Sequence, residues 1–303
     1  MKMTRTSKAK NRLAMRHWQA GVAFTLVEIM VVMALLSFIV LGLMAMFNQT
    51  QRAFRAGMAQ TDQLEGGRML NDQTVRDFQQ MVPTYQTNGV NFFAEIPNYT
   101  PLLLPLPGSS YLRTNILYDV YFTTRLNQYW NGIGYFVRTN PAYAGNVNPV
   151  GTLYRYEASV HDADFIGNAY QPFLNFVNAT NPLNISKILD GVVEFRVQCY
   201  DNNGRMITNG SPSVATNNFI DITNSFSKAP GEVEFYGFSN NIVPAYVDLE
   251  VGVLEPAVLK RYRALPNSTT QSNYLASHAA NIQVFRQRIA IRNVDTSAYS
   301  PEP

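Results

Sequence analysis

Residues 23–47 read AFTLVEIMVVMALLSFIVLGLMAMF, and this stretch decides the architecture of the chain. From Ile29 to Phe47 nineteen consecutive residues carry no charge. As a helix they would rise roughly 28 Å, which matches the hydrocarbon core of a bilayer. The stretch is apolar on all sides, whereas helices of soluble proteins show one apolar stripe. The small residues Ser37 and Gly42 are tolerated in membrane helices. The sequence therefore predicts a membrane-spanning helix.

The residues on either side of this span predict its orientation. Six basic residues and no acidic residue occupy the first sixteen positions: Lys2, Arg5, Lys8, Lys10, Arg12 and Arg16. Only Arg52 and Arg55 follow the span closely. Because basic flanks stay in the cytoplasm, we expect a cytoplasmic N-terminus and translocation of the chain after about residue 48.

The junction between the basic segment and the span is Ala23–Glu28, with the sequence AFTLVE. It resembles the prepilin cleavage signature of type IV pilins and of type II secretion pseudopilins. The alternative is an ordinary secretory signal, which is cut after its apolar stretch. No small-x-small site closely follows Phe47, so the prepilin interpretation is preferred.

The resemblance implies a processing site and an assembly residue. In that family a prepilin peptidase would cut between Ala23 and Phe24, and the freed Phe24 would be N-methylated. Ala23 stands where the family usually has glycine. Glu28 would become the fifth mature residue and would pair with the N-terminal amine of a neighbouring subunit. The alternative is that Glu28 only complements the positive end of its own helix, an interaction worth about 0.3 to 1 kcal/mol.

The charge balance depends on the leader. The whole chain has 24 basic and 21 acidic residues, a formal charge of +3. Removal of residues 1–23 takes away the six basic residues named above, so 18 basic residues remain against 21 acidic ones and the charge becomes −3. A basic surface for nucleic acid is therefore not expected.

Few residues suit metal binding or catalysis. Cys199 is the single cysteine, so it cannot form an intrachain disulfide, and we expect it to be a small core residue. Only His161 and His278 lie beyond the leader, and the segment His161–Asp164 is typical of a solvated turn. The sequence predicts no metal, no cofactor and no enzyme activity.

Beyond the span the sequence predicts a second helical half. Apolar residues recur mainly at steps of three, four and seven: Phe47, Phe54, Met58, Leu64, Met69, Val75, Phe78 and Met81. We expect this apolar face to pack on a sheet. Gly66 and Gly67 indicate a bend or break, and Pro83 should end the helix.

From about residue 90 the pattern changes to strands. Aromatic and β-branched runs are separated by Asn, Gly and Pro: 111–124, 132–139, 151–160, 191–200, 232–238 and 245–254. Asp201–Gly204, DNNG, predicts a hairpin turn. Residues 255–265 indicate a short helix, and residues 273–294 a helix or a strand.

These elements predict an α+β fold in five parts: a leader (1–23), a transmembrane helix (24–47), an amphipathic stalk helix (48–82), a β-rich extracytoplasmic head (83–295) and a flexible tail (296–303). The resemblance implies a pilin-like fold, with the long helix packed on an antiparallel sheet. The order of the closing strands is similar to J-type minor pseudopilins. The string FRQRIAIRN at 285–293 is also similar to that of other prepilin-type cassette proteins.

The function that the resemblance implies is structural. We expect a minor pseudopilin that assembles through its N-terminal helix into a type II secretion pseudopilus and aids protein export. Its head is larger than those of major pilins and pseudopilins, and it lacks the cysteine pair that closes many pilus-forming pilins. It also has Glu28, an acid that K-type subunits usually lack. The expected location is a bacterial inner membrane, single-pass, with a periplasmic or extracytoplasmic head. The expected partners are other pseudopilins or pilins and the peptidase. A minor pilin of a type IV pilus and a membrane-anchored enzyme are the alternatives.

Overall fold

The computed structural model describes residues 25–86, 89–105, 112–139, 148–162, 184–208, 218–225 and 232–299. The chain forms two compact units, residues 1–56 and 57–303. In the first unit the described residues from Leu26 onward are all helical. Among its described residues, the second unit holds the rest of this helix, a large antiparallel sheet, two short α-helices and two 3₁₀ helices. The chain is therefore α+β, as the sequence predicted.

Helix α1 runs without interruption from Leu26 to Gln79. The predicted break at Gly66–Gly67 is wrong, and the structure gives the two glycines another role. A Cβ at Gly67 would overlap the ring of Phe285, and a Cβ at Gly66 would lie 3.0 Å from Leu189. The glycines let the helix approach the sheet closely.

The predicted apolar face is confirmed only near the C-terminal end of α1, where Phe78 and Met81 are buried and Val75 packs against the core. The residues that α1 buries are Gln63, Gly67, Leu70, Thr74 and Phe78, spaced by three or four positions. Phe54, Met58, Leu64 and Met69, which were expected to pack, are exposed. At Gly67 this face carries no side chain, because a larger residue there would overlap Phe285.

Eleven strands are present among the described residues: β1 (Val90–Glu95), β2 (Leu103–Leu104), β3 (Arg113–Thr114), β4 (Asp119–Leu126), β5 (Tyr129–Arg138), β6 (Gly151–His161), β7 (Ile185–Tyr200), β8 (Phe219–Ser225), β9 (Glu232–Ser239), β10 (Tyr246–Leu254) and β11 (Ile282–Ala290). All six predicted runs contain strands. Strands β1, β2 and β8 were not predicted. The predicted turn at Asp201–Gly204 is present, with Asp201 Oδ1 accepting from two backbone N–H groups and Gly204 at a φ of +75°.

Nine of these strands form one antiparallel sheet in the order β11-β10-β7-β6-β5-β4-β1-β9-β8. The sheet curls, because residues of β7 contact β9 although four strands lie between them in this order. Arg196 of β7 forms an ion pair with Glu232 of β9. Tyr118, just before β4, donates a hydrogen bond to the carbonyl oxygen of Val233. The curled sheet encloses the core.

The main core lies between α1 and the inner face of the sheet. Alternation along β7 points Phe195, Val197 and Cys199 into this core, and all three are fully buried. From α1, the ring of Phe78 lies 4.5 Å from that of Phe122, a spacing favourable for aromatic pairs.

Three predictions concern the C-terminal segments. Residues 255–265 contain helix α2 (Pro256–Arg263), as predicted. Residues 273–294 hold the last part of helix α3 (Ser268–Ser277) and also β11. The predicted flexible tail needs a correction over its first four residues. Thr296–Tyr299 forms a 3₁₀ turn in which Tyr299 is buried and donates a hydrogen bond to Val243.

The close approach of α1 to the sheet gives a testable prediction. Alanine in place of a helical glycine gains about 1 kcal/mol of helix propensity. At Gly57 nothing lies within 4 Å of the added Cβ, so Gly57→Ala should raise the melting temperature. At Gly67 the Cβ would overlap Phe285, and such overpacking costs about 1 to 3 kcal/mol. We expect Gly67→Ala to lower the melting temperature.

The measurement is thermal unfolding of the full-length protein in detergent, followed by near-ultraviolet circular dichroism. Gly57→Ala is the matched control because it makes the same change in the same helix. Equal stabilisation by both substitutions would show that Gly67 is not needed for packing.

Candidate functional site

Thr25 and Glu28 close the N-terminal end of α1 with reciprocal hydrogen bonds. The backbone N–H and the hydroxyl of Thr25 both donate to Glu28 Oε2, at 2.9 and 3.0 Å. The Glu28 N–H donates back to Thr25 Oγ1 at 3.3 Å. This arrangement is a capping box, which satisfies helix N–H groups that have no partner within the helix. Our reading of the sequence missed it, although T-x-x-E is its signature.

Glu28 is the only charged residue between Leu26 and Gln51. It lies in the first turn of α1, where the helix dipole favours a negative charge. Both hydrogen bonds from Thr25 end on Oε2, and within the described residues none ends on Oε1. That oxygen can therefore accept from a second donor. Ala23 and Phe24, the two predicted processing residues, lie outside the described residues, as does the predicted leader.

The segment after Glu28 exposes apolar side chains on every side. The large side chains from Ile29 to Phe47 are between 48% and 73% exposed. The hydroxyl of Ser37 donates to the carbonyl oxygen of Met33 at 2.8 Å, which satisfies the one hydroxyl of this segment. The segment is long and apolar enough to span a membrane.

The upper part of α1 is fastened to the sheet by polar contacts. Asp77 accepts from the hydroxyl of Tyr135 at 2.5 Å and from Arg155 Nε at 2.6 Å. Gln63, which is buried, donates to the carbonyl oxygen of Val253 at 2.9 Å. These bonds tie residues 63–77 of α1 to strands β5, β6 and β10. The helix and the sheet therefore act as one structural element from Gln63 onward.

The residues considered for metal binding or catalysis have structural contacts. Cys199 is buried in the core, and burial raises the pKa of its thiol. Asp162 accepts from Trp130 Nε1 at 2.7 Å and from Arg125 at 2.8 Å, so both its oxygens are occupied. Asp164 lies outside the described residues. Within the described ranges no group of three or more His, Cys, Asp or Glu residues could hold a metal ion.

A buried charge cluster lies where β7, β9 and the segment before β4 meet. Glu194 is fully buried and accepts from Arg196 Nε and from the backbone N–H of Ile116, both at 2.8 Å. Arg113 Nη2 lies 3.7 Å from Glu194 Oε1. Arg196 also forms an ion pair with Glu232. The cluster joins distant parts of the curled sheet. Glu194 and Arg196 are two residues apart in β7, so their side chains point to the same face of the sheet. This spacing of two charged residues within a strand was the sequence signal for the cluster.

Burial raises the pKa of Glu194 to about 7, while the nearby guanidinium of Arg196, the N–H of Ile116 and Arg113 act in the opposite direction. Glu250 is a partly buried acid that also pairs with Arg113. Although burial opposes the change, Arg113 and Arg286 lower its pKa. The two carboxylates therefore affect stability in different pH ranges.

Comparisons with known proteins leave the family open. No family model matches the chain, no curated protein matches it, and no solved structure matches it. Any functional assignment must therefore come from the residues and their geometry.

The raised pKa of Glu194 predicts how stability changes with pH. Between the ordinary value of 4.5 and about 7, the folded chain binds more protons at this site than the unfolded chain does. Stability contributed by Glu194 is therefore present at low pH and is lost as the pH rises through about 7. We expect the head to be more stable at about pH 5 than at about pH 7.5, by on the order of 1 to 3 kcal/mol from this site.

The control is Glu194→Gln, which keeps the shape and an oxygen acceptor but cannot titrate. Urea midpoints of both proteins at the two pH values measure the difference. The wild-type protein should lose more stability between them than Glu194→Gln. Parallel pH profiles would show that Glu194 is ionised throughout this range.

Proposed function

We propose that the chain is a minor pseudopilin, a structural subunit that assembles through α1 into a type II secretion pseudopilus and aids protein export. One observation carries the proposal. A single carboxylate, Glu28, begins an apolar span that carries no other charge up to Gln51, and it follows Phe24 by four residues. This combination occurs within the string AFTLVE, which resembles the prepilin cleavage signature.

The electrostatics of this site support an assembly role. A carboxylate at the start of a membrane helix costs up to roughly 3 kcal/mol if it lies deep in the membrane. Cleavage before Phe24 would create an amine with a reference pKa near 8, which is positive at neutral pH. About 6 Å of helix rise separates the two groups. A neighbouring subunit shifted by that rise would place its amine beside Glu28.

The capping box is compatible with this pairing. The cut would leave the Thr25 N–H in a peptide bond, so the hydrogen bonds to Oε2 could persist in the mature protein. Oε1 would then accept from the amine of the neighbour. In this proposal one carboxylate has two roles, one within its own helix and one between subunits.

The proposed orientation follows from the charges. The basic residues before the span would remain in the cytoplasm of a bacterial cell. The inner membrane would hold α1, and the head would lie in the periplasm or otherwise outside the cytoplasm. The bonds from Asp77 and Gln63 would couple the head to a helix fixed in a filament. Other pseudopilins and a prepilin peptidase are the proposed partners.

The substitution Glu28→Gln tests the assembly role. Glutamine can replace glutamate in a capping box, so the helix end should be preserved while the charge is removed. Opposite charges about 4 Å apart gain up to roughly 4 kcal/mol at an intermediate dielectric, before desolvation is subtracted. We expect Glu28→Gln to retain membrane insertion and cleavage but to reduce cross-linking to partner subunits by about tenfold, equivalent to 1.4 kcal/mol.

Thr25→Ala is the matched control because it removes the cap hydroxyl and keeps the charge. We expect it to reduce cross-linking and secretion much less than Glu28→Gln. If Glu28→Gln left both unchanged, or if Thr25→Ala had the larger effect, Glu28 would be a capping residue without an assembly role.

A further inference from the structure

A cleft of about 380 Å³ opens on the head beside helix α3. Its walls come from the first two turns of α3, from Tyr262 at the end of α2, and from the chain near Leu102 and Pro149. No charged residue is among the described residues that line it, and most of them carry a neutral hydroxyl or amide. Helix α3, STTQSNYLAS, is itself uncharged. The cleft is therefore suited to a neutral ligand.

Several polar groups in the cleft are held in place by one internal hydrogen bond each. Asn148 Nδ2 donates to Thr139 Oγ1 at 2.8 Å, and Gln271 Nε2 donates to the carbonyl oxygen of Leu265 at 3.2 Å. The hydroxyl of Ser272 donates to the backbone one turn earlier at 2.8 Å. Each side-chain oxygen keeps the capacity to accept from a ligand. Fixed side chains lose less conformational entropy when a ligand binds.

The N-terminal end of α3 does not favour an anion here. Asn267 Oδ1 accepts from the backbone N–H of Thr270 at 2.9 Å, so the chain itself caps this helix. No lysine or arginine is among the described residues of the cleft that could neutralise a phosphate or a carboxylate. The described lining also has no carboxylate for a cation. Charged ligands are disfavoured on both counts.

The cleft wall also has an apolar part, and the combination of polar and apolar surface suits one class of ligand. Leu102, Pro149 and Tyr262 present carbon surface beside the hydroxyls and amides. Sugars combine hydroxyl groups that donate and accept with faces of C–H groups, and they carry no charge. The volume lies within the range of small-molecule sites, about 300 to 1,000 Å³. We propose that this cleft binds a neutral sugar residue, an activity independent of the assembly role of α1.

Saturation-transfer difference NMR on the full-length protein tests the proposal. The protein is kept in a detergent without a sugar headgroup, and the probes are glucose, galactose, mannose, N-acetylglucosamine and their neutral trisaccharides. Single sugars typically bind with millimolar Kd, so each probe is used at about 10 mM. We expect transfer to at least one neutral sugar, and weaker transfer to glucuronate. Comparison of single sugars with trisaccharides distinguishes a free sugar from the end of a glycan chain.

Variants locate the binding. Asn148→Ala and Gln271→Ala should each weaken binding about three- to tenfold, the effect of one hydrogen bond. Thr269→Val keeps the shape of the side chain and removes an exposed hydroxyl. It should also weaken binding, and it should not affect the fold. Ser277→Ala, at the other end of α3, is the control and should leave binding unchanged. The absence of transfer from every neutral sugar, or transfer that none of the three variants reduces, would overturn the proposal.

Discussion

The apolar surface of α1 between Ile29 and Phe47 is the constraint on which the rest of the structure depends. The segment has no charge, and its large side chains are exposed. Exposed to water, such a surface is unfavourable by about 25 cal/mol per Å². A bilayer, or neighbouring helices within one, would remove this cost. An apolar environment also requires that polar groups be satisfied or lie at its edge. The hydroxyl of Ser37 is hydrogen-bonded within the helix, and Glu28 lies in the first turn.

The same helix has a different surface from Gly57 onward. There its buried face combines Gly67, which permits close contact with the sheet, with larger residues such as Leu70 and Phe78. Asp77 accepts hydrogen bonds from two strands, and Gln63 donates one to a third. These bonds fix the helix to the sheet. In the proposed pseudopilus, forces applied to the helix would therefore reach the head through specific bonds.

Local sequence patterns predicted the span, α2 and six strand regions, because these depend on composition and on short-range alternation. The buried face of α1 could be predicted in this way only near its C-terminal end, where Phe78 is buried. Large apolar residues such as Phe54 and Met58 are exposed, whereas Gly67 lies against Phe285, a residue far along the chain. The partners of Glu194 likewise come from segments joined only in the folded sheet. At the candidate site, the capping box was readable in TLVE, whereas the proposed partner of Glu28 belongs to a second molecule and cannot be read from one chain.

The most direct test of the proposed role is the N-terminus of the protein isolated from membranes of cells that also express a prepilin peptidase. Intact-mass measurement and N-terminal sequencing should find a chain that lacks residues 1–23 and begins at N-methylated Phe24. Cells with an inactive peptidase are the control and should retain the leader. A start beyond Phe47, or an uncut chain in the presence of active peptidase, would contradict the account and leave α1 as an ordinary signal or anchor.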